Sequence, residues 1–400
     1  MSLMERVQTK INGLKGDGNY RVFSILKKSA EQFPSVKVSA NEKSDGAALN
    51  MASLDYMGMS VDTRVIDAMV KTAREVGVGS GGSRNIGGTC QEHVDLEKEL
   101  AIWHEKEAAL IFSSGYVANH TAVSVLGSLP DTVVFSDSLN HASIIEGCRT
   151  ARCQKEIFDH NNPEDLRARL QKCENVENKV VVVESLYSMD GDFGKVEEIF
   201  DIADEFSASK IVNEVHAIGT YGPAGAGLCS ELGCVHRADL IIGSLSKGVG
   251  TQGGYIAGSL EIVDFIRSFG YGFIFTCSLP PAIMKAAVES IAALKERDLE
   301  RRGLAEKSNL MRHLLTKASI PFLPGNSHII PVMVGEPIPC QMISNRLLAE
   351  RNILVPAIKY PTVPKNGSRL RVTVTARHTK EQIEAFVANL ADIYKQEIGV

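Results

Sequence analysis

An α/β fold, a large domain on a mainly parallel sheet followed by a smaller α+β domain, is predicted by three features of the sequence. Short β-branched runs at Val133-Val-Phe135, 180–183 and 210–212 alternate with helical segments such as 197–206, the rhythm of βαβ units around a parallel sheet. The length of 400 residues exceeds what one hydrophobic core usually serves. Beyond the charged run 295–302 the order changes to strand 329–334, helix 340–351, strands 353–355 and 370–374, and helix 379–394, an α+β pattern. The expected division is an N-terminal arm over 1–60, a large domain over 61–285 and a small C-terminal domain over 286–400.

Composition narrows the function classes. With 44% hydrophobic and 23% charged residues and a net charge of −5, no basic footprint argues for nucleic acid or an anionic membrane. Small molecules and other protein chains are the expected partners. Eight cysteines at irregular spacing, without a CxxC pair or a zinc-like Cys/His pattern, read as reduced and mostly buried thiols; no metal is expected. The start, Met1 to Val7, lacks an apolar stretch and carries Glu5, and no apolar run approaches the roughly 18 residues that span a bilayer. A cytoplasmic location is expected.

Along the chain, Leu3, Val7, Ile11 and Leu14 have helical spacing and Gly16 and Gly18 interrupt it, which predicts a short arm. A helix over 62–75 precedes a stretch with six glycines in the twelve residues 77–88. Dinucleotide-binding glycines follow a strand instead of a helix, so a loop with Ser83, Arg84 and Asn85 as polar readers fits better, beside the alternative of an inert flexible loop. The strand 108–112 ends in Ser113-Ser-Gly-Tyr116 and opens a helix from 117 to 126, an arrangement whose free N–H groups and helix dipole bind phosphate. In parallel sheets ligands gather at the carboxyl ends of strands, which singles out 137–141, 184–190, 213–216 and 244–247. The last holds Lys247 among Ser244, Ser246 and the glycines 248, 250, 253 and 254. A lysine in small, apolar surroundings can act as a nucleophile toward aldehydes and afterwards as a base. The tripeptide Asp192-Phe-Gly194 and the pair Asp190 and Asp192 lack the companions of a kinase or a calcium loop and read as a polar turn. The run 295–302 reads as a solvated face bridging the two domains.

The motifs GSGGSRNIGGT (79–89), LNHASIIEG (139–147), ESLYSMDGDFG (184–194), NEVHAIGTYG (213–222), GSLSKGVGTQGGY (243–255), GFIFTCSLPP (272–281), YPTVP (360–364) and RLRVT (369–373) together resemble the α-oxoamine synthases of the pyridoxal phosphate fold-type I group. They are most similar to the 5-aminolevulinate synthase branch. The resemblance spans nearly the whole chain. It implies a seven-stranded, mainly parallel sheet, pyridoxal 5'-phosphate as cofactor, a homodimer with shared active sites, and decarboxylative condensation of glycine with succinyl-CoA to 5-aminolevulinate.

Residue by residue, the resemblance makes Lys247 the Schiff-base lysine and the base for the glycine α-proton. It places His141 on the pyridine ring, and His216 and Ser188 among the ring contacts, with His216 on the phenolic oxygen. Ser114, Gly115, Tyr116 and Ser244 resemble the phosphate site, with Thr276 reaching across from a second subunit. Arg371 is the implied glycine carboxylate clamp, suited by its planar fork, while Arg21, Ser83 and Asn85 are the implied contacts of the succinyl end, and Thr362 is a further implied substrate contact. Two positions depart from the family pattern. Asn213 replaces an acidic residue that keeps the ring nitrogen protonated, and Leu54 replaces an active-site amide. These departures leave open a related α-oxoamine synthase or thioester-processing enzyme with an altered substrate or reaction, or a binding or regulatory subunit with impaired catalysis.

Overall fold

The computed structural model describes residues 1–39 and 47–399; the part of the expected N-terminal arm at 40–46 lies outside the described residues. Two compact units emerge, one of Leu54–Ser188 with Asp192–Arg301, the other of Met1–Ser53, Met189–Gly191 and Arg302–Val400.

The larger unit is built on seven strands: β1 (Ala108–Phe112), β2 (Thr132–Asp137), β3 (Gln154–Phe158), β4 (Asn178–Glu184), β5 (Ser209–Asn213), β6 (Leu240–Ser244) and β7 (Gly254–Gly258). Their spatial order is β1-β7-β6-β5-β4-β2-β3. The pairs from β3 through β6 are parallel, and β7 alone runs against both its neighbours, so the mainly parallel seven-stranded sheet is as the sequence predicts. The central strand β4 shows why these residues make this sheet. Val180 to Val183 are all buried, because their side chains alternate between two faces that both carry core. On one side Val181 and Val183 pack with Phe158, Phe200 and Ile241; on the other Val180 and Val182 pack with Ile144, Ile211 and Ile256. Each such valine gains roughly 1.5–3 kcal/mol from burial before ordering costs. Helices α1 (Gln91–Trp103), α2 (Gly115–Gly127) and α3 (Ala142–Ala151) belong to this unit, with Leu96 and Leu100 of α1 fully buried.

The charged run 295–302 differs from the expected solvated face. Arg297 reaches the buried Asp62 carboxylate, Lys295 pairs with Glu99 at 2.5 Å, and Arg301, 8% exposed, donates to the Leu294 carbonyl at 2.6 Å. The chain bends between the helices Pro281–Lys295 and Asp298–Lys317, and these cations satisfy carboxylates and helix-end carbonyls that the bend would otherwise leave unpaired.

The smaller unit holds an antiparallel sheet with Ser368–Thr373 between Ile329–Gly335 and Ala357–Ile358, together with the helices Pro337–Arg351 and Lys380–Ile398. The N-terminal segment joins it through the parallel pair Leu49–Asn50 and Ile353–Leu354. The helix Leu3–Gly16, capped reciprocally by Ser2 and Glu5, buries none of its residues. No helix among the described residues is long and apolar enough to cross a membrane.

Candidate active site

Five strand ends and the turns that follow them assemble the site within the larger unit. After β1, Ser114 caps α2 by accepting the Val117 N–H at 3.2 Å, so its own hydroxyl proton stays available to a ligand. Here Gly254 at the start of β7 is obligatory: a Cβ there would lie 2.3 Å from the Ser114 carbonyl. After β2, the Asp137 carboxylate gathers the Leu139 N–H at 2.8 Å, the Asn161 N–H at 2.9 Å and His160 Nδ1 at 2.9 Å. This turn delivers His141 to the start of α3, where its Nδ1 accepts from Ser143, which puts the ring proton of neutral His141 on Nε2.

The next two strands end in a matched pair. Glu184 closes β4 and Asn213 closes β5, and they are register partners. Glu184 Oε1 accepts the His141 N–H at 2.5 Å. The Asn213 amide is oriented by its surroundings, Oδ1 accepting the Val215 N–H at 2.9 Å and Nδ2 donating to Asn119 Oδ1 at 3.3 Å. Glu214 turns away from the site and accepts from Ser185 Oγ at 2.6 Å and from the Leu228 and Cys229 N–H groups at 2.9 and 2.6 Å. That buried carboxylate anchors the turn carrying His216, whose Nδ1 lies 2.6 Å from the Tyr56 hydroxyl. After β6, the Ser244 and Ser246 hydroxyls are 2.8 Å apart, and the tight turn fixed by the Gly250 N–H on the Lys247 carbonyl at 2.8 Å presents Lys247.

These groups line one cavity of about 210 Å³: Ser114, Gly115, Tyr116, Asn119, His141, Glu184, Asn213, Val215, His216, Ser244, Ser246 and Lys247. Eight residues singled out from the sequence therefore meet in one place. Thr276 and Ser188 are not among its lining. Thr276 lies in a second cluster, where Ser83 pairs with Cys277 across an antiparallel bridge and Ser83 Oγ donates to Asn85 Oδ1 at 2.8 Å. Leu54 is 39% exposed and stands two residues before Tyr56. In the smaller unit, Arg21 Nη2 donates to Thr362 Oγ1 at 2.7 Å, joining two expected substrate contacts, and the buried Arg371 donates to Thr373 Oγ1 at 2.9 Å.

One expected reader is otherwise employed. Arg84 grips Glu97 with both arms of its guanidinium, at 2.7 and 3.0 Å, and pins the glycine-rich loop to α1 in place of reading a substrate. The sequence missed Asn119, Tyr56 and the role of Glu184. An asparagine one turn into the helix that follows the Ser-Gly turn, and an acid directly after four valines in β4, are the signals that mark two of them.

The cavity is electrostatically divided. Burial pushes the Glu184 carboxyl up to about 8, and the charges of Asp137 and Asp192 add to this against the opposing His141 N–H and Lys247; Glu184 is protonated at neutral pH. The surrounding protein, and then the charge of Lys247, hold His141 below its ordinary range, although its ring faces the open cavity. Beneath them His160, opposed by burial but bonded to Asp137 and Asp192, is raised to about 10 and is a fixed cation.

The donor set fits an aromatic aldehyde bearing a phosphate and a ring nitrogen. The α2 N-terminus with the Ser114, Ser244 and Ser246 hydroxyls offers donors to a dianion, and a Cβ at Gly115 would stand 3.1 Å from Ser244 Cβ, closing the approach to those N–H groups. Lys247 is the amine for the aldehyde, His141 is a flat ring for stacking, and Asn213 with Glu184 offers only protons, no negative charge, to a ring nitrogen.

The sequence matches the family model of class I and II aminotransferases over residues 47–390. It is 44% identical to the 5-aminolevulinate synthase of Rhizobium meliloti over 392 residues, covering 97% of this chain and 96% of that one. It is 40% identical to the 5-aminolevulinate synthase of Bradyrhizobium diazoefficiens over 395 residues, covering 98% and 96%. Among solved structures, Sphingomonas wittichii serine palmitoyltransferase superposes with a TM-score of 0.91 at 27% identity over the full length of both chains. An SPT structure with PLP as internal aldimine gives 0.90 at 27% identity, again over both full lengths. The 8-amino-7-oxononanoate synthase of Francisella tularensis shares the fold, with a TM-score of 0.73 at 22% identity over 88% of this chain and 98% of that one.

Proposed function

Because the chain belongs to the class I and II aminotransferase family, and within it to the 5-aminolevulinate synthases, we propose that it condenses glycine with succinyl-CoA. The products are 5-aminolevulinate, CoA and carbon dioxide, and the cofactor is pyridoxal phosphate. The observation that carries this reading is the single cavity in which Lys247, His141, His216, Asn213, Ser114, Gly115, Tyr116 and Ser244 converge.

When bound, pyridoxal phosphate supplies the electron sink into which the electron pair of the glycine α-carbon spreads. The chain's own residues do the rest. Lys247 holds the aldehyde carbon and, once displaced by the amino acid, is the amine placed to remove the α-proton. The α2 N-terminus and the Ser114 and Ser244 hydroxyls would hold the phosphate, fixing position without moving a proton. His141 covers one ring face and, through its Nε2–H, donates toward an oxygen of the reacting groups. His216, held at Nδ1 by Tyr56, presents Nε2 to the ring oxygen. The Arg371 guanidinium clamps the glycine carboxylate, and Arg21 with Thr362 holds the carboxylate end of the acyl group, with Ser83 and Asn85 as additional acyl-end contacts and Leu54 as a further substrate contact.

A homodimer with shared sites belongs to the same reading. It is supported by Thr276, which does not line the cavity of its own chain, and by Tyr271 and Phe275, flanking it at 77% and 73% exposure. The eight free cysteines favour a reducing, cytoplasmic setting.

Incubating the pyridoxal phosphate-loaded protein with glycine and succinyl-CoA tests the reaction. Equimolar release of free CoA thiol and aminoketone is expected. Loaded protein that releases neither is a cofactor-binding subunit and not a synthase.

A further inference from the structure

Building on that reading, we propose that Glu184, and not residue 213, supplies the proton for the ring nitrogen of the bound pyridoxal phosphate. Asn213 cannot do so. Its Oδ1 is committed to the Val215 N–H, so only N–H groups face the cavity, and an amide at neutral pH hydrogen-bonds a nitrogen without yielding a proton. Glu184 is its register partner on the adjacent parallel strand, about 4.8 Å across the sheet, and both side chains line the same cavity. Among the described residues the Glu184 side chain has one hydrogen bond, accepted at Oε1 from the His141 N–H, which leaves Oε2 for an occupant.

The surroundings of Glu184 favour a held proton that can be given up locally. Burial and the carboxylates of Asp137 and Asp192 keep it protonated, while the His141 N–H is placed to stabilise the carboxylate left behind. His216 and the Tyr116 phenol are the remaining titratable groups on the cavity wall. In the transfer the Oε2–H bond breaks and the ring N–H bond forms, so a neutral acid and a neutral heterocycle become an adjacent ion pair. Between buried side chains such a pair withdraws electrons from the ring more strongly than a neutral hydrogen bond does.

The test uses full-length protein reconstituted with pyridoxal phosphate labelled with nitrogen-15 in the ring, whose NMR shift separates a protonated from an unprotonated nitrogen. The wild type should show the protonated signal. Glu184→Gln, which keeps an oxygen for the His141 N–H, should lose it, and adding Asn213→Asp to that variant should restore it. A protonated signal that persists in Glu184→Gln, or an unprotonated one in the wild type, overturns the proposal while leaving the cofactor assignment intact. Wild-type protein that takes up no pyridoxal phosphate overturns the functional reading itself, and this proposal with it. If Glu184→Gln alone fails to load, infrared absorption of cofactor-free wild type decides. A protonated carboxyl band at pH 7 that is absent from Glu184→Gln supports the assignment, and no such band in the wild type overturns it.

Discussion

The Tyr56 hydroxyl and His216 Nδ1 stand 2.6 Å apart across 160 residues of sequence, and neither side chain is more than 6% exposed. A buried phenol engaged with one ring nitrogen fixes which nitrogen the imidazole turns to the cavity. Tyr56→Phe removes that bond and leaves the ring volume. The net worth of one such bond is about 1 kcal/mol, so kcat/KM is expected to fall about fivefold with pyridoxal phosphate still retained. Steady-state kinetics beside the cofactor absorbance of the purified variant separate the two effects.

Lys247 is the one lysine on the cavity wall, and the turn that holds it is fixed by backbone bonds that do not involve its side chain. Lys247→Ala is therefore expected to fold normally and to lose covalent retention of the cofactor. Treatment with borohydride followed by intact mass measurement reads this directly: the wild type should gain the mass of the reduced pyridoxal phosphate adduct, and the variant should not. A variant that still gains it would place the attachment on another lysine.

How far the sequence carries is clearest at the strand ends. Ser114, His141, Asn213, His216, Ser244 and Lys247 are legible because a parallel sheet brings its carboxyl ends to one edge, and local spacing is enough to find those ends. Glu184 lies at such an end too, but what matters about it is its burial and its register with Asn213, and both are properties of the assembled sheet. Arg84 misleads for the mirror-image reason. In sequence it sits among the glycines of an apparent substrate loop, and only the fold shows both arms of its guanidinium occupied by Glu97. The cations of 295–301 were likewise invisible as structural groups, since charge runs are usually solvated and their partners Asp62 and Glu99 lie roughly 200 residues away in the chain.

His160 makes the platform beneath the site sensitive to alkali. Its imidazole bonds Asp137 at 2.9 Å and Asp192 at 2.8 Å, and these bonds, working against burial, raise it from 6.5 to about 10. A folded-state value above the unfolded one favours the folded state when the group is protonated. The contribution is therefore whole below about 6.5, shrinks as the pH rises and is gone above about 10. Thermal unfolding of wild type and His160→Gln should differ most near pH 6 and converge above pH 10.

Arg21 and Thr362 meet at 2.7 Å although 341 residues separate them, which ties the N-terminal segment to the loop before Ser368–Thr373 within one unit. That bond occupies one guanidinium N–H and orients the fork, leaving its other donors for a carboxylate. Arg21→Lys keeps the charge but replaces the planar fork with a point charge, and a loss of roughly 1–2 kcal/mol in a bidentate contact corresponds to about a tenfold rise in KM for succinyl-CoA. Because the contact lies at the far end of the acyl group from the bond being formed, it binds ground state and transition state alike, so kcat should change little. Thr362→Val removes only the orienting bond and should raise KM about threefold. The double variant should fall short of the sum, since Thr362 acts through Arg21. Full additivity would show that the two residues bind the acyl donor separately, and an unchanged KM in Arg21→Lys would remove the pair from acyl recognition.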